Sequence, residues 1–281
     1  MTPHGFSTKG GIGAVVLAAM IAAAVLAPLL APFDPNDQDI MNGLAAPLTS
    51  AEGGGAHVFG TNRLGEDVLS RIIFGARVSL TVAFAAVAVS GLIGSTLGCL
   101  AGFAGPRLQS IVLVATDTVL SIPFVLLALA LIAAIGPSIT SVIIALVIVR
   151  WAQFARLGYT LTLEVRERDF ILACRAIGAS APRTILRHVL PNIGGPLLVV
   201  ATLELAYAIL AESGLSFLGL GVPPEIPSWG GMLQEGLNEI DTAWWLTTTP
   251  GIAIMLTAIG FNFLGDWLRD RLDPGLQQSL R

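Results

Sequence analysis

Residues 169–192 read DFILACRAIGASAPRTILRHVLPN, a polar and interrupted stretch within an otherwise apolar chain. Only 12% of the 281 residues are charged, whereas soluble domains contain about 25%. The mean hydropathy is +0.79, and the net charge of −4 gives no support for nucleic-acid binding. The composition therefore predicts a membrane protein, and the polar stretch at 169–192 is expected to lie outside the bilayer.

Six runs are long and apolar enough to cross a bilayer, whose core of about 30 Å needs roughly 20 helical residues. They lie at about 11–31, 78–103, 108–135, 139–158, 193–214 and 244–266. The runs are continuously apolar rather than alternating, which predicts an all-α bundle. A cleaved signal peptide is the alternative for the first run, although that run is long for one.

The basic residues predict the orientation, because cytoplasmic loops are enriched in Lys and Arg. With both termini inside, eleven of the fifteen basic residues lie inside and three lie outside. Residues 159–192 then form a basic cytoplasmic loop. We divide the chain into a first span with its outer loop (1–77), a core of five spans (78–268) and a cytoplasmic tail (269–281).

The quoted loop is predicted to fold as a helix, a sharp turn and a second helix. The first helix starts at Asp169 and ends at Gly178, since glycine tolerates the left-handed conformation of helix ends. Ser180 is expected to cap the second helix, with Pro182 in its first turn. That helix should stop before Pro191, because a residue ahead of proline disfavours helix.

The loop also carries apolar residues that a solvated connector does not need, namely Phe170, Ile171, Leu172 and Ile177. Arg183 and Arg187 lie four residues apart on one helical face. An exposed apolar patch rimmed by charge is typical of a docking surface for another protein.

Residues 172–178 (LeuAlaCys-ArgAlaIle-Gly) and the later Leu190–Pro191 resemble the EAA loop of ABC importer permeases. Two departures are Leu172 in place of Glu and Cys174 in place of the second Ala. In that family the loop forms the coupling helix that sits in a cleft of the cytoplasmic ATPase. The resemblance assigns this contact to Asp169, Leu172, Ala173, Arg175, Gly178, Ala179, Ser180, Arg183, Arg187 and Pro191.

Four other stretches resemble the C-type subunit of dipeptide and oligopeptide permeases, at 59–80, 211–221, 227–233 and 272–276. Asn62 stands where that family usually has Asp, and Glu66 where it usually has Arg. The resemblance implies a type I importer permease in the bacterial inner membrane. It further implies a homologous B-type permease, two cytoplasmic ATPases, an external binding protein and a peptide substrate; related importers carry nickel or glutathione.

The chain lacks the G-x-x-x-x-G-K-[ST] phosphate loop. ATP and Mg²⁺ are therefore expected on the partner ATPases, and neither a cofactor nor a metal site is expected here. A self-sufficient secondary transporter is the alternative class. Such transporters often contain an internal repeat, which the two halves of this sequence do not show.

Ionisable groups inside spans are costly and often functional. Glu204 and Asp117 are candidates to line a translocation cavity, and Glu212 to lie at its outer end. The alternative is internal ion pairing, for instance of Glu204 with Arg150. Trp229, followed by two glycines, indicates either a compact re-entrant element at the outer mouth or an interfacial anchor.

Two further patterns concern the second span. Residues 64–74 have an apolar stripe and predict an amphipathic helix on the outer membrane face, or a contact with the substrate-delivering protein. Gly94, Gly98 and Gly102 form a small-residue face along which another helix can approach closely; ordinary membrane glycine content is the alternative.

Overall fold

The computed structural model describes residues 8–50 and 56–272, so most of the predicted tail lies outside the described part. A short antiparallel hairpin joins β1 (Thr49–Ser50) to β2 (Ala56–His57). The helices are α1 (Thr8–Val25), α2 (Ala27–Leu30), α3 (Val68–Phe103), α4 (Pro106–Ser121), α5 (Phe124–Ile135), α6 (Ile139–Arg166), α7 (Asp169–Ala176), α8 (Ala181–Thr184), α9 (Leu190–Phe217), α10 (Trp229–Leu237) and α11 (Trp245–Leu272).

Five of the described helices are each long and apolar enough to span a membrane, and α4 with α5 makes a sixth candidate. The third span was expected as one helix over 108–135, but α4 and α5 meet at an angle of 89°. The break falls at Ile122, which has extended backbone angles. Because Ile122 precedes Pro123, the helical conformation is disfavoured there.

The second span begins ten residues earlier than predicted, at Val68. Asp67 starts it, since its side chain accepts a hydrogen bond from the Ser70 backbone N–H at 2.8 Å. The separate amphipathic helix expected over 64–74 is therefore wrong, and α3 also runs through the expected boundary at residue 77. The polar side chains of this region are buried in a network with distant residues instead of lying on the membrane face.

The close pair at the centre of the bundle is α3 against α6. A Cβ added at Gly98 would overlap the carbonyl oxygen of Ala155, and one at Gly102 would lie 2.8 Å from the Thr162 side chain. Gly94 likewise faces the α6 backbone. The predicted small-residue face is thus confirmed as a close helix contact.

The main apolar core joins α1, α3, α5, α6, α9, α10 and α11. The second helix of the quoted loop was expected to stop before Pro191, but the helical chain continues through that residue. A π-helical turn, Ile185–Val189, joins α8 directly to α9. That wider turn shifts the hydrogen-bonding register just ahead of Pro191, so the helix continues through a residue that has no N–H to donate.

Candidate functional site

We call residues 169–189 the knuckle. Its first helix, α7, ends as predicted at Gly178, which has a φ of +78°. The Ala179 N–H donates to the Cys174 carbonyl at 3.0 Å, the long hydrogen bond of the Schellman helix end. Ser180 occupies the N-cap position of α8, but its side chain makes no capping hydrogen bond. Its carbonyl instead accepts from the Thr184 hydroxyl at 3.1 Å.

Two buried side chains anchor the knuckle to the bundle. Ile171 and Val189 are both 0% exposed and pack with Cys99, Val165 and Ile193 of the neighbouring helices. The expectation that Ile171 faces water is therefore wrong. The cluster fixes the knuckle against the ends of α3, α6 and α9.

The rest of the knuckle presents apolar surface. Leu172 is 49% exposed and Ile177 is 83% exposed, and Phe170 and Leu186 are exposed as well. The other predicted contact residues on this surface are exposed or half-buried, namely Asp169, Ala173, Ala179, Ser180, Arg183, Arg187 and Pro191. Arg175 lies in α7, and its side chain is outside the described part. The exposed patch is confirmed, while the docking role stays a prediction.

Glu204 of α9 forms an internal ion pair with Arg150 of α6, the alternative expected from the sequence. The Nε and Nη2 atoms of Arg150 each donate to one oxygen of Glu204. The ring centroid of Tyr207 lies 4.0 Å from the guanidinium carbon. Asp117 is different, because it pairs with Arg156 at an exposed position on the bundle surface.

Glu212 lies fully buried between α3 and α9. Its carboxylate accepts from the hydroxyls of Ser79 and Ser216 at 2.9 Å, and from that of Ser213 at 3.4 Å. These bonds tie the two helices together. Glu212 therefore does not line an open surface in this structure.

Trp229 is fully buried at the start of α10. Its indole N–H donates to the Ile72 carbonyl at 3.0 Å, and Ser228 caps the helix by accepting from the Gly231 N–H. A compact helix is thus present between spans five and six, while its re-entrant position at the mouth of a pathway stays a prediction. A purely interfacial anchor is excluded, since such a side chain would contact the lipid headgroups.

A buried polar network at the same end of the bundle was missed by the sequence analysis. Arg71 donates to Glu66 and to Glu235 of α10, and Asn62 donates to Glu66 at 2.6 Å. Burial raises the pKa of Glu235, and the Arg71 charge partly offsets the rise. Asn62 and Glu66, the two departures within the 59–80 stretch, thus bind each other directly.

Two cavities lie along the same face of α9. One, of about 370 Å³, is lined by Leu203 together with Asp266 and Arg269 of α11. The other, of about 280 Å³, is lined by Tyr207 together with Phe124 of α5. Leu203 and Tyr207 are one helical turn apart on α9, and Tyr207 also stacks on Arg150, so a residue that lines the second cavity contacts the ion pair.

Comparisons with known proteins agree with this fold and with the resembled family. Residues 94–278 match the family "Binding-protein-dependent transport system inner membrane component", and residues 11–47 match "N-terminal TM domain of oligopeptide transport permease C". A solved structure of the MetNI methionine ABC transporter, in an inward-facing conformation, aligns with a TM-score of 0.58 at 18% identity. It covers 72% of this chain and 96% of that chain, and it supports the fold alone.

Curated relatives are similar over almost their whole length. The di/tripeptide transport system permease protein DppC of Pseudomonas aeruginosa is 40% identical over 273 residues, which cover 96% of this chain and 90% of the relative. The dipeptide transport system permease protein DppC of Escherichia coli K12 is 41% identical over 286 residues, covering 99% and 95%. The chain therefore belongs to the family of inner-membrane permease components of binding-protein-dependent ABC importers, with an N-terminal segment of the oligopeptide permease C type.

Proposed function

We propose that this chain is one of two permease subunits of an ATP-driven importer of di- and oligopeptides. A homologous B-type permease forms the other half of the pathway, two cytoplasmic ATPases supply the energy, and an external binding protein delivers the substrate. The observation that carries the proposal is the identity of 40% or more, over nearly the full chain, to permeases named for dipeptide and di/tripeptide transport.

The knuckle is the proposed contact with one ATPase. It combines an apolar exposed patch with a rigid helix end, and it is anchored to the bundle through Ile171 and Val189. A mobile tether would transmit little force, whereas a buried anchor moves together with the helices it touches. ATP binding would close the ATPases, displace the knuckle and open the pathway outward, and hydrolysis with product release would reset it.

The opposite end of the bundle is the proposed surface for the binding protein. It contains the described non-spanning parts, 32–50, 56–67 and 218–243, of the loops at 32–77 and 215–243 that the distribution of basic residues predicts to lie outside. The buried network of Arg71, Glu66 and Glu235 joins these two loops. A receiving surface built this way keeps its shape without the partner.

Reconstitution tests the proposal. The chain is tagged and purified with its co-purifying subunits, placed in proteoliposomes with the binding protein, and assayed for uptake of a radiolabelled dipeptide. We expect uptake that requires both ATP and the binding protein. Uptake by the isolated chain without any ATPase would instead identify a secondary transporter, and preferential uptake of Ni²⁺ or glutathione would overturn the peptide assignment.

A further inference from the structure

We infer that Arg150 binds the C-terminal carboxylate of a peptide in transit, with Glu204 and Tyr207 as the residues that position its guanidinium. This inference rests on the proposed peptide importer and names a recognition site within its pathway. It concerns the free α-carboxylate, a group that every unmodified peptide shares whatever its side chains.

The first observation is the depth of the ion pair. Arg150 lies about 16 Å along α6 from Ile139, and Glu204 lies about 21 Å along α9 from Leu190, at 1.5 Å per residue. Both positions are close to the middle of their spans. A charged pair there is expensive to desolvate and is often functional.

The second observation is that the guanidinium is only partly used. Arginine has five N–H donors, and the two that Glu204 engages come from Nε and Nη2. Nη1 donates no hydrogen bond to any residue that the structure describes, yet it is not a buried unpaired atom. The side chain remains 13% exposed. The edge formed by Nη1 and Nη2 can therefore receive a second carboxylate in the two-point geometry that arginine favours.

The third observation is the setting of that edge. The Tyr207 ring stacks on the guanidinium and also lines the cavity of about 280 Å³. One turn away, Leu203 lines the cavity of about 370 Å³. Tyr207 is therefore the residue through which the arginine adjoins the cavity of about 280 Å³.

The charges also favour a peptide. The Arg150–Glu204 pair is neutral as a unit, so an isolated anion would bring an uncompensated charge into the middle of the membrane. A peptide carries its own ammonium group and therefore adds no net charge. Glu204 engages the Nε–Nη2 edge of Arg150 with both carboxylate oxygens, which leaves the Nη1–Nη2 edge available for a second carboxylate.

The experiment measures dipeptide binding to the permease in the absence of the external binding protein, which would otherwise contribute its own peptide site. The complete permease–ATPase complex is placed in nanodiscs, and saturable binding of a tritiated dipeptide is measured for the original protein. Unlabelled analogues then compete for the site. We expect the unlabelled dipeptide to compete and its C-terminal amide to compete at least tenfold more weakly.

Three variants complete the test. Arg150→Gln should raise the dipeptide dissociation constant about tenfold and abolish the difference between acid and amide. Arg150→Gln combined with Glu204→Gln should do the same while leaving no unpaired buried carboxylate, which separates recognition from misfolding. Arg156→Gln removes an equal charge from the exposed pair on the same helix and should change neither quantity.

The outcomes are separable from those of the proposed function. Absence of saturable binding, equal competition by acid and amide, or parallel losses for both ligands in the double variant would each overturn the arginine site. The importer proposal is tested separately, by ATP-dependent peptide uptake in the complete system.

Discussion

Gly178 offers a direct test of the knuckle, because it holds a left-handed conformation that other residues adopt at a cost. Its φ is +78°, and a Cβ built there meets nothing within 4 Å. A substitution therefore acts through the backbone and not through a clash. The perturbed turn lies between the exposed Ile177, at the end of α7, and the start of α8.

The magnitude follows from the conformation. A residue with a Cβ pays about 1–2 kcal/mol in the left-handed region, and 1.4 kcal/mol is a factor of ten in population. Gly178→Ala should therefore reduce the native turn about 5- to 30-fold relative to relaxed alternatives. Gly178→Asn should cost less because asparagine tolerates this region, and Gly178→Val should cost more because β-branched residues are rare there.

The assay is the ratio of peptide uptake to ATP hydrolysis in proteoliposomes. We expect the ratio to fall in the order Asn, Ala, Val, while membrane insertion and basal ATP hydrolysis persist. Gly136 provides the matched control, since it also has a positive φ, of +93°, and open space around its Cβ position. Gly136→Val carries at least as large a backbone cost, because a φ of +93° with a ψ of 157° is essentially restricted to glycine. It acts between α5 and α6 and not in the knuckle, so it should leave the ratio unchanged. Normal coupling in Gly178→Val, or an equal loss in Gly136→Val, would refute this reasoning.

The remaining predictions concern stability. Gly98→Ala should destabilise the fold by about 1–3 kcal/mol because its Cβ overlaps the Ala155 carbonyl, whereas Gly91→Ala, whose Cβ finds its nearest atom at 3.6 Å, should be nearly neutral in thermal unfolding. Glu212→Ala should leave buried hydroxyls without an acceptor, at about 1–3 kcal/mol for each, and Glu212→Gln should retain more of the unfolding temperature. Burial raises the pKa of Glu235 above its ordinary 4.5. The stabilisation that Glu235 provides should therefore fall as the pH rises from 4.5 through the raised pKa. Glu235→Gln should remove this pH dependence of the free energy of unfolding, and an unchanged dependence would contradict the assignment.

Local chemistry allowed much of the knuckle to be predicted. The end of α7 depends on Gly178 alone, and the start of α8 depends on a proline in its first turn, so neighbouring residues decide both. The prediction that the helix stops before Pro191 was wrong. The rule that a residue ahead of proline disfavours helix assumes regular α-helical hydrogen bonding at that point. The π turn at Ile185–Val189 changes that register, and no local pattern in the sequence indicates it.

The outer network could not be predicted for a different reason. Arg71 and Glu235 are 164 residues apart in the chain, and pairing over such a distance is set by how α3 and α10 pack. Periodicity described residues 64–74 correctly as part apolar and part polar. The polar side faces the protein, however, and hydrophobic spacing does not distinguish burial in a polar network from exposure at a membrane surface.

The junction at Pro191 has a mechanical consequence. Because α8, the π turn and α9 follow one another without a break, residues Ala181–Phe217 form a rod of 37 residues, about 55 Å long at 1.5 Å per residue. Such a rod acts as a lever that extends beyond the roughly 30 Å bilayer core. A tilt imposed at the knuckle would displace Glu204 and Glu212 together, because both lie on α9. The π turn and Pro196 inside α9 interrupt the regular hydrogen bonding of this helix, and flexing at either would reduce the distance that the far end travels.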